Sequence, residues 1–407
     1  MQSLPANQRV KLLDIVRGLA LLGILLINMR FFTTSLQTIQ FQLEVSSNWW
    51  DQTAQTLLDF FVAGKFIAIF AFLFGYGMML MKDSAVKRGY RFVPLYSRRL
   101  LALLLFGLIH GWFIWYGDIL LHYALLGFIL LLFYKRKART LLVWSILLLL
   151  FIPGIMLLSG TDGSYEPSPE WMEQVQQWIT EDEVIYSSGS WTEIQSLRIR
   201  DWNSSLLNQI IFYPQILGLF LLGVYFAKKR WFQHVTENRA TLRKICWWTG
   251  GVGFLSHLIP VSLKLFSWGT ETLLGQLELF QHLLGSPLIG VFYILLVALL
   301  IQKKTWEVLL NPLANVGRMA FTNYIMQSVI CTLIFYGYGF GWFGKVGPAI
   351  ASLIAITIFV VQIVYSMVWF RYFRIGPLEW LWRWITYLSL PAWKVKPSSG
   401  SIKTGKG

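Results

Sequence analysis

Cysteine is nearly missing from this chain of 407 residues: Cys246 and Cys331 are its only two. Two thiols, each inside an apolar run, supply neither a disulfide framework nor a metal-ligand cluster, and both read as packing residues. Charge is also scarce, at 14% of positions against 56% hydrophobic. A soluble chain of this length could not hide so much apolar surface in one or two cores. Acidic residues are the rarer sign, 20 against 35 lysines and arginines, for a net charge of +15. That excess does not point to nucleic acid, because the basic residues sit in short segments between apolar runs and form no single patch. A glycine-rich nucleotide loop, a tandem repeat and a separate soluble domain are all missing from the sequence.

What the chain does contain is apolar windows long enough to cross a bilayer as helices. They fall at about 12–32, 56–81, 100–116, 118–134, 140–159, 207–227, 245–266, 278–301, 319–338 and 349–370. The segments on one side of these windows hold 28 of the 35 lysines and arginines, "KRKAR" at 135–139 among them. The positive-inside rule assigns that side to the cytoplasm. The expected fold is therefore all-α: a polytopic membrane bundle of about ten transmembrane helices with both termini cytoplasmic. The first window carries Asp14 and Arg17 and no small-residue cleavage site follows it, so it reads as a retained span and not a signal peptide. Residues 1–159 form a five-helix half, 207–385 a second half, and 386–407 a disordered cytoplasmic tail.

Between the halves, residues 160–206 carry nine acidic and two basic residues. Trp171, Met172, Val175, Trp178 and Ile179 recur there at helical spacing, which predicts an amphipathic helix at the outer membrane surface. A solvated acidic loop is the competing expectation. Many of the 20 tryptophans flank the windows, as an interfacial belt does.

Ionisable groups inside a bilayer are costly and usually face a bundle interior or a wet cavity. Asp14 and Arg17 are three apart, on one helical face near the inner interface, and read as an ion pair. Arg98 and Arg99 enter their span from the same side. Asn323 and Gln327, four apart, either hydrogen-bond a neighbouring helix or line a polar cavity. In the outer half, Gly117-Asp118 predicts a tight turn between two spans. His110 then lies about 10 Å into the membrane and His122 about 6 Å. Asn28, Asp59 and Lys65 belong to the same outer half, with His257, Lys264 and His282 available to complete a ring. A histidine beside a carboxylate can move a proton at neutral pH, and Asp118 can also cap the following helix.

"LLDIVRGLALLGILLIN", "GLIHGWFIWYGDILLHYALLG", "NPLANVGRMAFTNYIMQS" and "IGPLEWLWR", in this order across residues 12–385, resemble the bacterial YeiB-like family of multi-span membrane proteins. The amino-terminal half also resembles the wider superfamily of transmembrane acyltransferases, which includes the lysosomal heparan-glucosaminide acetyltransferase. That resemblance implies a bacterial cell membrane protein that moves an acyl group from a cytoplasmic donor such as acetyl-CoA to a small-molecule, lipid or glycan acceptor. Arg17 and Asn28 match an arginine-to-asparagine spacing in the lysosomal enzyme's first span. The histidines of those relatives have no counterpart here, since residues 29–58 contain none and Asn28 stands where the O-acylating enzymes carry one.

For an acyltransferase, His110 oriented by Asp118 is the expected base, with His122 or Asp59 as substitutes. Arg17, Arg98 and Arg99 would draw the donor's phosphates, with Asn323 and Gln327 lining its path. Asn28, Lys65 and Asp14 are expected around the acyl or acceptor group, Asn28 and Lys65 as oxyanion donors. No metal and no nucleic acid enter this reading; membrane lipids and a second copy of the chain are the expected partners. The alternatives are a transporter or lipid-handling protein using the same polar lining, and an inactive relative that keeps the fold as a scaffold.

Overall fold

The computed structural model describes residues 6–41, 43, 48–159, 168–265 and 271–394. Among them the chain is helical throughout, with one isolated bridge between Phe373 and Lys394. In order the helices are α1 (Ala6–Thr33), α2 (Leu36–Gln40), α3 (Trp49–Phe61), α4 (Lys65–Lys87), α5 (Phe92–Ile109), α6 (Leu120–Leu130), α7 (Ala138–Ser159), α8 (Pro169–Ser188) and α9 (Trp191–Ile210). They continue as α10 (Tyr213–Lys229), α11 (Arg239–Leu265), α12 (Glu271–Phe280), α13 (Ser286–Leu300), α14 (Lys304–Arg318), α15 (Ala320–Phe335), α16 (Pro348–Tyr372) and α17 (Pro377–Tyr387). Prolines open α8, α10, α16 and α17, at positions where a missing N–H costs nothing.

Six of the described helical stretches are long and apolar enough to cross a membrane, seven if the bent pair α9–α10 counts as one. The other expected spans fall on α6, α11 and α15; α6 and α15 are short apolar helices. The span expected over 56–81 is broken. Gly64 takes a left-handed conformation, φ +76°, between α3 and α4, where a side chain is disfavoured and a Cβ would also meet Ser286. The span expected over 278–301 carries a π-turn at Gln281–Gly285. Pro287 explains it: the ring excludes the carbonyl four residues back, Leu283, and Gln215 Nε2 donates to that carbonyl at 2.6 Å instead.

α1 and α4 form the centre. α1 packs on α4, α14, α15 and α16; α4 packs on α5, α10 and α13. Two-thirds of the α1 membrane window is buried, against about a quarter of α7 and α16, whose apolar outer faces are left for lipid. Reciprocal glycines set the two closest crossings. A Cβ on Gly18 would lie 2.1 Å from the Leu313 carbonyl oxygen, and one on Gly317 1.8 Å from that of Asp14. Gly75 and Gly223 bring α4 and α10 together in the same way.

The acidic segment is not a loop. Ser168 caps α8, Ser190 and Glu193 form a capping box on α9, and both helices lie across one end of the bundle. Val175, Ile179 and Tyr186 bury their side chains there, so the apolar face of α8 is turned at least partly to protein. Arg200 bridges Asp182 and Asp201 at 2.7 and 2.9 Å, and Ser35 donates to Asp182 at 2.6 Å. Burial pushes the Asp182 carboxyl above the ordinary carboxylate range.

Two amphipathic helices, α14 and α17, lie where no span or surface helix was expected, and α17 covers the amino-terminal part of α5. Glu379 of α17 accepts from the Phe321 and Thr322 amides at 2.7 and 3.1 Å and from the Thr322 hydroxyl at 2.6 Å. It thereby caps α15 from 57 residues away. Residues 395–407 of the expected tail lie outside the described residues.

Candidate functional site

α5 ends in a π-turn, His110–Ile114, in which the Trp115 amide donates to the His110 carbonyl five residues back. The expected tight turn is a five-residue passage, Trp115–Ile119, before α6. Gly107 lets the two helices meet: a Cβ there would stand 2.5 Å from the Leu121 amide and 2.9 Å from Asp118 Oδ2. Asp118 then works in two directions. Oδ2 accepts from the Leu121 amide at 2.8 Å and caps α6, while Oδ1 lies 2.9 Å from His110 Nδ1.

A carboxylate only accepts, so Nδ1 carries the hydrogen and Nε2 presents a lone pair. Facing Nε2 at 2.9 Å is the hydroxyl of Ser328, from the middle of α15. Asp118, His110 and Ser328 are all within 2% of full burial. The Tyr324 ring lies 5.1 Å from the imidazole and the Trp115 ring 6.3 Å. The arrangement is a serine–histidine–aspartate relay closed off from water, a constellation recognised by geometry and not by chain order. Ser328 was not expected. A lone serine in an apolar helix carries no signal until the fold sets it against His110, 218 residues away.

α9 closes one side of this turn. The π-turn leaves the last carbonyls of α5 without helical partners. Gln195 Nε2 donates to the Trp112 carbonyl and the fully buried Arg198 to that of Phe113, both at 2.8 Å. Trp202 packs on Gly111, where a Cβ would fall 2.4 Å from the indole nitrogen.

The other residues expected in the outer half form a separate group. Asp59 is held by Arg30 at 3.1 Å and by Gln55 at 2.7 Å; no hydrogen bond or ion pair joins it to His110 among the described residues. Lys65, 1% exposed, donates to the Asp59 carbonyl at 2.6 Å. His257 donates from Nδ1 to the Gly253 carbonyl at 2.9 Å and turns Nε2 toward Ser286 at 3.4 Å. His282 lies within electrostatic range of Lys65 and Asp59. The expected ring is thus two clusters, and the side chain of Lys264 lies outside the described residues. His122 bonds the Tyr213 hydroxyl at 2.7 Å, tying α6 to α10. The Asn28 side chain makes no hydrogen bond among the described residues.

At the end of the bundle away from α8 and α9, Arg17 pairs with Asp14 at 2.8 Å as its spacing suggests. Arg318 and Arg383 lie within electrostatic range of the same carboxylate, and Arg99 within range of Arg17 and Arg383. Arg99 stacks on Trp382 at 3.7 Å and Arg318 on Phe370 at 3.7 Å, which holds both charges in the group, Arg99 half-buried and Arg318 exposed. Arg98 joins no ion pair among the described residues. Asn323 and Gln327 turn to α16: Asn323 Nδ2 donates to Ser366 at 3.1 Å, and Gln327 Nε2 to Gln362 Oε1 at 2.8 Å. Both residues therefore serve interhelical bonding, the first of the two roles their spacing allows. Cys246 and Cys331 are free and buried, as packing residues.

Residues 226–389 match the family described as "Protein of unknown function (DUF418)". This stretch holds Ser328, Arg318, Glu379 and Arg383, whereas His110, Asp118, Arg17 and Arg99 precede it. Relatives cover the whole length. The chain is 40% identical over 405 residues to the uncharacterized protein YxaH of Bacillus subtilis, spanning 96% of this chain and 97% of that one. It is 30% identical over 389 residues to an uncharacterized 39.9 kDa protein encoded in the amylase 3' region of Bacillus acidopullulyticus, at 95% and 96% coverage. To the uncharacterized protein YeiB of Escherichia coli it is 31% identical over 387 residues, at 92% and 95% coverage. With both halves aligned to such relatives and the helical membrane architecture in place, the chain belongs to the YeiB-like family of multi-span membrane proteins.

Proposed function

We propose that this protein is a membrane-embedded acyltransferase of the bacterial cell membrane, taking an acyl group from an acyl-CoA-type donor on the cytoplasmic side to a hydroxyl or amine acceptor. The observation that carries the reading is the buried Asp118–His110–Ser328 relay. Its position supports the reading further. Arg99 precedes His110 by eleven residues on α5, so that helix joins the arginine cluster to the relay over about 15 Å, and Arg318 ends α14 just before α15, the helix that carries Ser328. A coenzyme A thioester has this shape: a phosphate-bearing head that arginines hold and a flexible arm with the reactive carbonyl at its end. His110 accepts a proton at Nε2 as the carbonyl is attacked, and Asp118 stabilises the imidazolium that forms.

The test uses membranes containing the full chain, given acetyl-CoA labelled in its acetyl group. Label should pass to a lipid, glycan or small-molecule fraction, and His110→Ala should reduce that transfer at least a hundredfold. Transfer unchanged by the substitution overturns the reading.

A transport reading has one observation of its own. Two interrupted helices face each other at Gly64 and Gln281–Gly285, with Lys65, His257 and His282 at the interruption. Proteoliposomes that move a labelled polar solute without forming a covalent product would favour it.

A further inference from the structure

We infer that Ser328 is the nucleophile of this reaction and carries the acyl group as an ester between two half-reactions. The inference rests on the acyl-transfer reading and adds the residue that forms the covalent bond.

The geometry of the hydroxyl is the argument. Serine and threonine inside helices normally bond the carbonyl four residues back. Thr53, Ser352 and Thr386 do so here at 2.7 Å each. Ser328 stands 3.5 Å from the Tyr324 carbonyl and only 2.9 Å from His110 Nε2. Its hydrogen is thus directed to the one nitrogen that Asp118 leaves without a proton. An oxygen so placed, at 2% exposure, is shielded from water that would compete as nucleophile or acceptor. The Trp115 ring stands 6.3 Å from the imidazole, and its indole N–H is buried with no hydrogen-bond partner among the described residues. A tetrahedral intermediate develops negative charge on its oxygen and takes up donors of this kind.

In the first half-reaction, Ser328 Oγ attacks the thioester carbonyl and its proton passes to His110 Nε2. The carbon–sulfur bond breaks and the leaving thiolate takes that proton. In the second, an acceptor hydroxyl attacks the serine ester, its proton moves to Nε2, the carbon–Oγ bond breaks, and Ser328 recovers the proton. The sum is thioester plus alcohol to ester plus thiol, with no oxidant or reductant. A covalent stop also lets donor and acceptor use the same buried position in turn, which suits a site as enclosed as this one.

The test uses the full chain in lipid nanodiscs, with two probes. Acetyl-CoA, quenched in acid, should leave one acetyl group on the peptide containing Ser328, removed by hydroxylamine and lost in Ser328→Ala and in His110→Ala. A fluorophosphonate, which needs no donor, should label the same serine at least tenfold faster than in His110→Ala. Ser328→Ala that elutes as wild type and still transfers acetyl above a tenth of the wild-type rate overturns the inference and leaves the acyl-transfer reading intact. Fluorophosphonate labelling of Ser328 that depends on His110, with neither acetyl adduct nor acetyl transfer, supports an activated serine and overturns acetyl-CoA as the donor. Wild-type protein that takes neither probe refutes the inference outright, with no variant needed.

Discussion

Gly317→Ala should weaken the protein more than any surface change of the same size. The new methyl would lie 1.8 Å from the Asp14 carbonyl oxygen, 2.8 Å from its carbonyl carbon and 2.8 Å from the Gly18 amide. All three are backbone atoms, so no side chain can swing away, and α1 and α14 must part by more than 1 Å. Overpacking of this kind costs about 1–3 kcal/mol. The loss spreads to Arg318, which follows directly and shares the field of Asp14. Gly77 in α4 supplies the control: a Cβ there meets nothing within 4 Å. Gly77→Ala should therefore keep or raise stability, by up to about 1 kcal/mol from helix propensity. Thermal unfolding of the purified protein in one detergent, followed by intrinsic tryptophan fluorescence, reads both. Gly317→Ala should melt several degrees below wild type and Gly77→Ala at or above it. Equal melting temperatures for the two variants would refute the close-crossing argument.

Asp118→Asn should keep the fold, since its oxygen can still accept from the Leu121 amide, but its amide would then donate to His110 Nδ1. That moves the ring hydrogen to Nε2, and acyl transfer should fall by about 10³- to 10⁴-fold with little change in melting temperature. Glu379→Ala leaves two amides and a hydroxyl at the start of α15 without their acceptor; a loss of about 2 kcal/mol is expected in thermal or denaturant unfolding, and Glu379→Gln should lose less. The α8–α9 layer should hold more tightly as pH falls. Asp182 has its folded-state value raised by burial, so the docked layer binds more protons than an opened one between the ordinary carboxylate value near 4 and that raised value. Across that window stability rises with acidification, and above it stability is flat. Asp201, on the same arginine and pushed up to about 6 by burial, adds to this dependence; hydrogen exchange of α8, corrected for intrinsic rates, should slow on entering the window, Asp182→Asn should weaken the effect, and Asp182→Asn with Asp201→Asn should remove most of it.

How far the sequence reaches into this fold depends on whether the partner of a residue is near it in the chain. Apolar runs announce α1, α5, α7 and α16 because each helix carries its own signal. Asp14 with Arg17 and His110 with Asp118 are legible for the same reason: three and eight residues separate the partners. The interruption at Gly64 was not legible, because a glycine in an apolar run is ordinary until Ser286 is found against it. Ser328, Arg318, Arg383 and Glu379 likewise gain their meaning from residues dozens to hundreds of positions away. His257 and His282 were expected near His110 because depth in the membrane is readable and position around the bundle is not. The amphipathic pattern of α8 was correct, yet no pattern tells a helix whether lipid or protein will cover its apolar face.

The winding at His110 has a consequence for chain length. A π-turn holds one residue more than the α-helix it interrupts, so losing one residue between 111 and 114 would let ordinary hydrogen bonding close across the gap. The helix would survive and the residues beyond it would stay roughly in phase, since the extra residue is the one the wide turn absorbs. The loss would fall on the rim: Gln195 and Arg198 hold the carbonyls of Trp112 and Phe113, and a shorter stretch would draw those carbonyls out of their reach. Length in this stretch therefore sets how α9 is seated, and a one-residue deletion would loosen that layer before it disturbed the relay.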